Sequence, residues 1–364
     1  SKAGPGGRLD PSWLGIGIEV EMAQDAIIDN GSVIETNVES GAAHGSGGVR
    51  ITADHITVSG GLKTLKVIET NPDADIPFAG IKSNVGTETT AVSSGDIQLN
   101  ATSIQMTDYG KVETKTESVG NAGQITFNAS QNITLGNFAD VTSLSEHSSG
   151  HSGNIMLRSS QGDLNLSNST VTSQTIESSG KAGNIRLDAP HGNILLADET
   201  FVYNAARGTG TLGGIRITSK DLKLDGGSTI QGDNLAKQPA GDITIRLEGR
   251  LILRDNSTIK TQAFGHADSA SLIINAPEIV VTNKSSLATS TLSSGNGGQL
   301  RLFTDNLHLT NGGTLSSESR ISRRTREVPS GRGGEIGIAG DRNPGTSVVI
   351  DGPGSGIFTN AEGT

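Results

Sequence analysis

The chain has 364 residues, of which 50 are Gly, ten are aromatic and none is Cys, and its formal net charge is −10. It has no long run of Lys and Arg, which argues against a nucleic-acid-binding surface. Its longest apolar runs are too short for a membrane-spanning helix, and the lack of Cys excludes a disulfide framework. With so few aromatic residues, a folded core must come from Ile, Leu and Val side chains spread along the chain.

The chain opens with a lead-in of residues 1–14, and from residue 15 onward one pattern repeats. A Gly is followed two residues later by an apolar residue, an outward residue and a second apolar residue, the alternation of a short β-strand. This first strand recurs ten times, and Ala270 is the one exception to the Gly. Its apolar pairs are Val49/Ile51, Ile97/Leu99, Ile125/Phe127, Ile155/Leu157, Ile185/Leu187, Ile215/Ile217, Ile243/Ile245, Leu272/Ile274, Leu300/Leu302 and Ile336/Ile338.

Two further strands follow each first strand. An alternating pair such as Ile133/Leu135 or Leu251/Leu253 predicts the second strand. A short element such as Ser257–Thr261, with one apolar anchor and a small polar residue two places later, predicts the third. Eight of the ten gaps between successive third-strand anchors are 28 to 31 residues long. The anchors are Ile34, Ile81, Val112, Val141, Val171, Val202, Ile230, Ile259, Leu287, Leu315 and Ile357.

A single unit of three short strands cannot bury its apolar face, whereas stacked units bury one another's. We therefore predict an all-β fold, a parallel β-helix (solenoid) of about eleven coils with 28–31 residues and three short strands per coil. Residues 15–364 are expected to form a single domain, with inserts near residues 62–77 and 318–331. Because the last coil would present bare strand edges, we expect the chain to continue beyond both ends or copies to stack head to tail.

The corner before the third strand carries Asn or Asp four residues ahead of the anchor in seven coils. These residues tolerate a left-handed backbone and bond their own turn amides, so the sequence predicts sharp left-handed corners. Stacked amides are also expected to form hydrogen bonds from coil to coil. The seven residues are Asn30, Asp108, Asn137, Asp198, Asp255, Asn283 and Asn311.

The repeat resembles that of filamentous-haemagglutinin-like exoproteins of two-partner secretion systems. The unit GNAGxIxxxA…xIxLxxxSxIxT recurs at residues 120–143, 150–173 and 180–204 and, less fully, at 295–317. The opening GPGGRLDPSWLG resembles the segment that follows the secretion domain of those proteins. The resemblance implies a right-handed β-helix in an extracellular or cell-surface protein of a Gram-negative bacterium, exported through an outer-membrane secretion partner.

The second insert holds a basic cluster in an otherwise acidic chain. Arg320, Arg323, Arg324 and Arg326 are candidates for binding an anionic glycan or lipid on a host or neighbouring cell. Loops are where solenoids usually carry recognition. The alternative is a solvated surface loop without a ligand.

Three aspartates are the candidates for a metal site. Asp198, Asp225 and Asp255 are expected to stack in one corner of three consecutive coils, where they could hold Ca²⁺ or act as an acid pair. Corner formation is the alternative role. We predict no cofactor other than this Ca²⁺ candidate.

One side face changes character along the rod. Outward positions of the second strand are polar in early coils and become apolar at Leu195, Ile252 and Val280, with Ile273 on the adjoining face. Contiguous exposed apolar residues often mark an interface. The set therefore predicts lateral contact with another copy, or coverage by a loop of the same chain.

These features favour a secreted structural or adhesive rod that assembles into an extracellular filament or matrix and is not an enzyme. The alternative is a β-helical enzyme that binds or cleaves polysaccharides. Such an enzyme needs a cleft lined by carboxylates or basic residues, and the middle outward positions of the first strand show no acidic cluster. A third hypothesis is that the chain is the passenger region of a contact-dependent toxin, which would require a C-terminal effector domain.

Overall fold

A computed structural model describes residues 17–38, 45–60, 79–87, 91–235, 241–264, 267–292, 295–320, 331–340 and 347–361. Within these ranges the regular structure consists of 31 β-strands whose pairings are parallel. The predicted all-β parallel β-helix is confirmed. No helix that is long and apolar enough to span a membrane occurs in the described part of the chain.

Each turn of the chain is one coil, and the coils are numbered 1 to 11 in chain order. Nine coils, namely 1 and 4–11, have separate first and second strands. The first strands are Ile18–Glu21, Ile125–Ala129, Ile155–Ser159, Ile185–Ala189, Ile215–Ser219, Ile243–Leu247, Leu272–Asn275, Leu300–Phe303 and Ile336–Ala339. The second strands are Asp25–Asp29, Ile133–Leu135, Leu164–Ser167, Ile194–Ala197, Leu222–Leu224, Arg250–Leu253, Glu278–Thr282, Asn306–Thr310 and Ser347–Asp351.

Coils 2 and 3 differ from this scheme. Their first and second strands are continuous, at Val49–Ser59 and Ile97–Thr107. The linking residues, ADH at 53–55 and ATS at 101–103, lack the Gly, Pro or Asn that interrupts the chain at this point in most other coils. Complete coils with three separate strands therefore number nine, slightly fewer than the predicted eleven. Coils 2 and 3 have two strands each, so the expectation of three short strands is wrong for them.

The third strands form a sheet of their own, separate from the twenty-stranded sheet of first and second strands. Each one pairs with its equivalent in the next coil, so that Val141 lies opposite both Val112 and Val171. The eleven third strands are Val33–Glu35, Gly80–Val85, Lys111–Thr116, Asp140–Glu146, Thr170–Ile176, Phe201–Arg207, Thr229–Asn234, Thr258–Ala263, Ser286–Thr291, Thr314–Ser319 and Gly356–Ala361.

One continuous hydrophobic core fills the coils from Ala26 to Leu315, and Ile336 and Ile338 of coil 11 pack against it. The predicted apolar pairs and anchors of coils 2 to 10 are all buried. Burying an Ile, Leu or Val contributes about 1.5–3 kcal/mol, so stability is distributed over many coils. The columns of the core also set which side chains face outward.

The interior carries a polar column as well, formed by one buried polar residue from each third strand of coils 2 to 6 and 8 to 10, with Gly232 at this position in coil 7. Thr114 Oγ1 donates to the carbonyl of Gly123 (2.7 Å), and Ser173 Oγ donates to that of Gly153 (3.0 Å). These carbonyls belong to the corner before the first strand. The buried hydroxyls therefore satisfy the backbone at that corner and join it to the third strand.

Glycine is required at that corner because successive coils approach very closely. A Cβ atom on Gly180 would lie 1.8 Å from the carbonyl oxygen of Gly150, and one on Gly183 would lie 2.1 Å from that of Gly153. Both neighbouring atoms belong to the backbone, so they cannot move aside as a side chain would. The repeated Gly is a packing requirement.

The corner before the third strand is left-handed, as predicted. All seven Asn and Asp residues have φ between +48° and +57°, and the residue after each of them also has a positive φ. Asn137 Nδ2 donates to Asp108 Oδ1 (3.1 Å), and Asn283 Nδ2 donates to Asp255 Oδ1 (2.8 Å). The predicted coil-to-coil hydrogen bonds of the side chains are confirmed at these corners.

Candidate interaction faces

The second strands present a column of outward residues on one side of the rod. Ile252 lies directly opposite Val280 in the next coil, as predicted, and both side chains are half-buried. Leu195 is not their neighbour, because Lys223 occupies the coil between Leu195 and Ile252. The contiguous apolar part of this face is therefore the pair Ile252 and Val280.

Ile273 belongs to the adjoining face. It is an outward residue of the first strand of coil 9, between Thr244 and Arg301 of the neighbouring coils, and it is half-buried. It shares its coil with Val280. The apolar pair and Ile273 thus lie on adjacent faces of coil 9, and their role in lateral contact stays a prediction.

The three candidate metal ligands do not form one column. Leu196 pairs with Leu224 and Leu224 with Leu253, which places Gly226 rather than Asp225 in line with Asp198 and Asp255. Gly226 has φ +58°, so a glycine serves as the left-handed corner residue of coil 7. The expectation that the three aspartates stack is wrong by one residue at Asp225.

Asp225 is also neutralised by its neighbours. The Arg254 guanidinium pairs with the Asp225 carboxylate, and Lys223 Nζ lies 2.9 Å from Asp225 Oδ2. Hydrogen bonding from Arg254 lowers the pKa of Asp225 well below its usual range. Among the described residues, no group of three or more His, Asp or Glu side chains could hold a metal ion. The three aspartates act as corner residues or ion-pair partners in this structure.

The basic cluster of the second insert lies mostly outside the described residues. Arg323, Arg324 and Arg326 fall in the range 321–330, which the structure does not describe. Arg320 is exposed and pairs with the buried carboxylate of Glu318 at the end of the third strand of coil 10. Its proposed contact with a glycan or lipid stays a prediction.

The first strands of coils 5 to 10 form a basic face that the sequence analysis did not predict. Arg186 lies directly opposite Arg216 of the next coil. The one carboxylate of this face, Asp188, is nearly buried between two guanidiniums, at 3.0 Å from Arg186 Nη2 and 3.6 Å from Arg158 Nε. The charged outward residues of these six strands are Arg158, Arg186, Asp188, Arg216, Arg246 and Arg301.

A polar groove runs beside this face, along the glycine corner that precedes the first strands of coils 3 to 6. Its volume is about 460 Å³. Asn121, His151 and Lys181 stand at the same position of three successive coils and line it. The amide of His151 donates to Asn121 Oδ1 (3.0 Å), and the amide of Lys181 donates to His151 Nδ1 (2.8 Å). The backbone therefore occupies the acceptor atoms of this column and orients its donor atoms.

A cluster of hydrogen-bonded polar and aromatic side chains lies on the outward face of the third strands in coils 6 and 7. Tyr203 Oη donates to Asp233 Oδ2 (2.9 Å), Gln231 Nε2 donates to Asp233 Oδ1 (2.7 Å), and Arg207 Nη2 donates to Tyr203 Oη (3.0 Å). The Phe201 ring stacks on Tyr203, with 4.8 Å between centroids.

Burial dominates the electrostatics of this cluster. Burial, reinforced by the charge of Asp233, raises the pKa of Tyr203 to about 12, and burial also raises the pKa of Asp233. The third strands of coils 6 and 8 contain no other Asp or Glu that could pair with Asp233 in the two-carboxylate mechanism of glycosidases. Its hydrogen bonds join coils 6 and 7 to each other.

The sequence contained a signal for the basic face. Each first strand has two outward positions, one between its two apolar residues and one directly after the second apolar residue. Reading the first of these positions finds Arg186, Arg216 and Arg301, and reading the second adds Arg158 and Arg246. Asn121, His151 and Lys181 each lie four residues before the start of a first strand, so their alignment in the groove could have been predicted once the coil register was known.

The comparisons with known proteins add no family assignment. No family model matches the chain, and no curated protein or solved structure matches it.

Proposed function

We propose that this chain is a rod-forming segment of an extracellular structural or adhesive protein of the filamentous-haemagglutinin type. In this proposal the protein is exported through an outer-membrane partner and displayed by, or released from, a Gram-negative cell. The unbroken parallel stacking of coils around one core supports it. With strands about 4.8 Å apart, eleven coils give a rod on the order of 50 Å long.

Lateral assembly is the second part of the proposal. Ile252 and Val280 stand on consecutive coils, and each is outward and half-buried. Two stacked aliphatic side chains on a polar face favour contact with a second copy, in which each could bury enough surface to contribute about 1.5–3 kcal/mol. Repeated along a longer protein, such contacts would join rods into a filament or matrix.

The experiment compares two double variants of the chain by sedimentation velocity. Ile252→Lys with Val280→Lys is expected to abolish concentration-dependent association and to keep the β-sheet circular dichroism, because neither side chain points inward. Gln105→Lys with Thr134→Lys is the matched control, since these residues also face each other in the second-strand column and are polar. The control is expected to associate like the wild type.

Two results would count against the proposal. A wild-type chain that stays monomeric at every concentration would remove lateral assembly, and equal association of both variants would show that this face is not the contact. Release of new chain ends from a polysaccharide by the purified protein would favour the alternative of a β-helical enzyme.

A further inference from the structure

We infer that the first-strand face of coils 5 to 8, together with the neighbouring groove, binds a linear anionic polysaccharide that lies along the rod axis. The inference deepens the proposed adhesive function and rests on it, because it names the ligand class and the surface that would hold it.

The proposed surface carries an excess of positive charge. The outward positions of the first strands in coils 5 to 10 hold five arginines and one aspartate, in a chain whose net charge is −10. Arg216 and Arg246 are exposed and form no ion pair with any described residue. Like charges one coil apart repel each other, and an anionic ligand relieves that repulsion. Segregated positive charge of this kind also attracts a polyanion from a distance.

The column of side chains in the groove presents hydrogen-bond donors. Because Asn121 Oδ1 and His151 Nδ1 already accept backbone amides, the atoms that this column leaves to a ligand are the Asn121 amide NH₂, the His151 Nε2–H and the Lys181 ammonium. All three side chains are exposed. The one carboxylate that lines the groove, Asp96, lies at its coil 3 end and accepts the Gln124 amide through Oδ1 (2.7 Å). The column therefore offers donors on three successive coils, which suits carboxylate or sulfate oxygens.

The groove and the basic face are continuous along the rod axis. In coil 6, Lys181 and Asn184 of the groove and Arg186 of the basic face follow one another within six residues. Groove and basic face thus meet in coils 5 and 6, and each coil adds a cationic or donor group about 4.8 Å from the last. A ligand with regularly repeated charges matches this arrangement better than a small anion does.

The same face argues against nucleic acid as the occupant. Single-stranded nucleic acids are usually held by aromatic side chains on which the bases stack. The outward positions of the first strands in coils 5 to 8, which form the proposed surface, include no aromatic residue, and the exposed Phe303 lies two coils beyond it in coil 10. A polysaccharide needs only the charged and donor groups that are present.

The test measures binding of dextran sulfate, polygalacturonate and neutral dextran to the purified chain by calorimetry. Dextran sulfate and polygalacturonate distinguish sulfate from carboxylate as the recognised group, and binding of either one supports the inference. Dextran is expected not to bind. Affinity for the charged polymers should fall as salt rises from about 0.05 to 0.5 M, because the Debye length shortens.

Two variants locate the surface. Arg216→Gln with Arg246→Gln is expected to weaken binding about tenfold or more, which corresponds to about 1.4 kcal/mol. Lys260→Gln with Lys284→Gln removes the same charge from the third strand of coil 8 and the corner before that of coil 9, away from the first strands, and should bind like the wild type. Circular dichroism of each variant checks that it is folded.

The inference fails if the two variants bind alike, if dextran binds as well as dextran sulfate, or if neither charged polymer binds. Preferential binding of single-stranded DNA over both polysaccharides would also overturn it. Lateral association is measured separately, so its failure would refute the proposed assembly alone, and loss of polysaccharide binding with normal association would refute only the present inference.

Discussion

The corner residue Asn283 allows the contributions of backbone strain and side-chain hydrogen bonding to be separated. Its φ is +52°, its Nδ2 donates to Asp255 Oδ1 of the preceding coil (2.8 Å), and its Oδ1 accepts from Asn311 Nδ2 of the next (3.4 Å). Replacing it by Gly removes these hydrogen bonds and leaves a residue that adopts the left-handed conformation freely. Replacing it by Ala removes them and also forces a Cβ-bearing residue into that conformation.

The two substitutions should therefore differ in cost. Loss of the exposed hydrogen bonds and the greater freedom of the unfolded chain lower the free energy of unfolding by about 1 kcal/mol in Asn283→Gly. The left-handed conformation costs an ordinary residue about 1–2 kcal/mol more, so Asn283→Ala should lose about 2–3 kcal/mol. The ranking wild type, Gly, Ala is opposite to the order expected inside a regular strand, where Ala is better than Gly.

Guanidinium unfolding followed by circular dichroism gives the overall ranking. Because solenoids unfold approximately as a sum of coil and interface terms, hydrogen exchange of coils 8 to 10 should show where the loss is concentrated. If Asn283→Ala is as stable as Asn283→Gly, the left-handed corner does not constrain this position and the reasoning is wrong.

Two further substitutions test packing and buried charge. Gly183→Ala places a Cβ atom 2.1 Å from the Gly153 carbonyl oxygen and should lower the free energy of unfolding by at least about 3 kcal/mol, whereas Gly337→Ala, with nothing within 4 Å of its Cβ, should be close to neutral in the same denaturation assay. Because burial raises the pKa of Asp233, the folded state binds more protons there than the unfolded state does. Denaturation at several pH values should show the wild type gaining stability over Asp233→Asn as pH falls from about 7 through the raised pKa toward about 4, and a relative loss would contradict the assignment.

The repeat was predictable because the physical demands on each coil recur. An inward Ile or Leu, a corner Gly and a left-handed Asn each leave a mark at a fixed spacing, and Ile155, Gly183 and Asn283 illustrate the three demands. Each mark alone is weak. Because the marks recur every 28 to 31 residues, the amino-acid sequence alone indicates the strand order, the core columns and the corner conformation.

The departures were harder to predict because they depend on contacts between coils. Asp225 looks like a corner residue in sequence, yet Gly226 takes the corner position and frees Asp225 to pair with Arg254. The continuous strands of coils 2 and 3 arise where turn residues are missing, and a missing residue type is a weak signal. Outward residues have no fixed hydrophobic pattern in the sequence, so the alignment of the arginines into a basic face became visible only from the coil-to-coil register.

The parallel pairing of every coil with the next has a mechanical consequence. Backbone hydrogen bonds between coils run along the rod axis. Tension along the axis therefore acts on every interface between coils, because the interfaces are connected in series. A terminal coil can then peel away while the rest keep their pairing. Each detached coil of about 30 residues releases on the order of 100 Å of chain. When the rod is pulled from its ends, it would lengthen in steps. Each step would dissipate mechanical energy while the remaining coils stay folded.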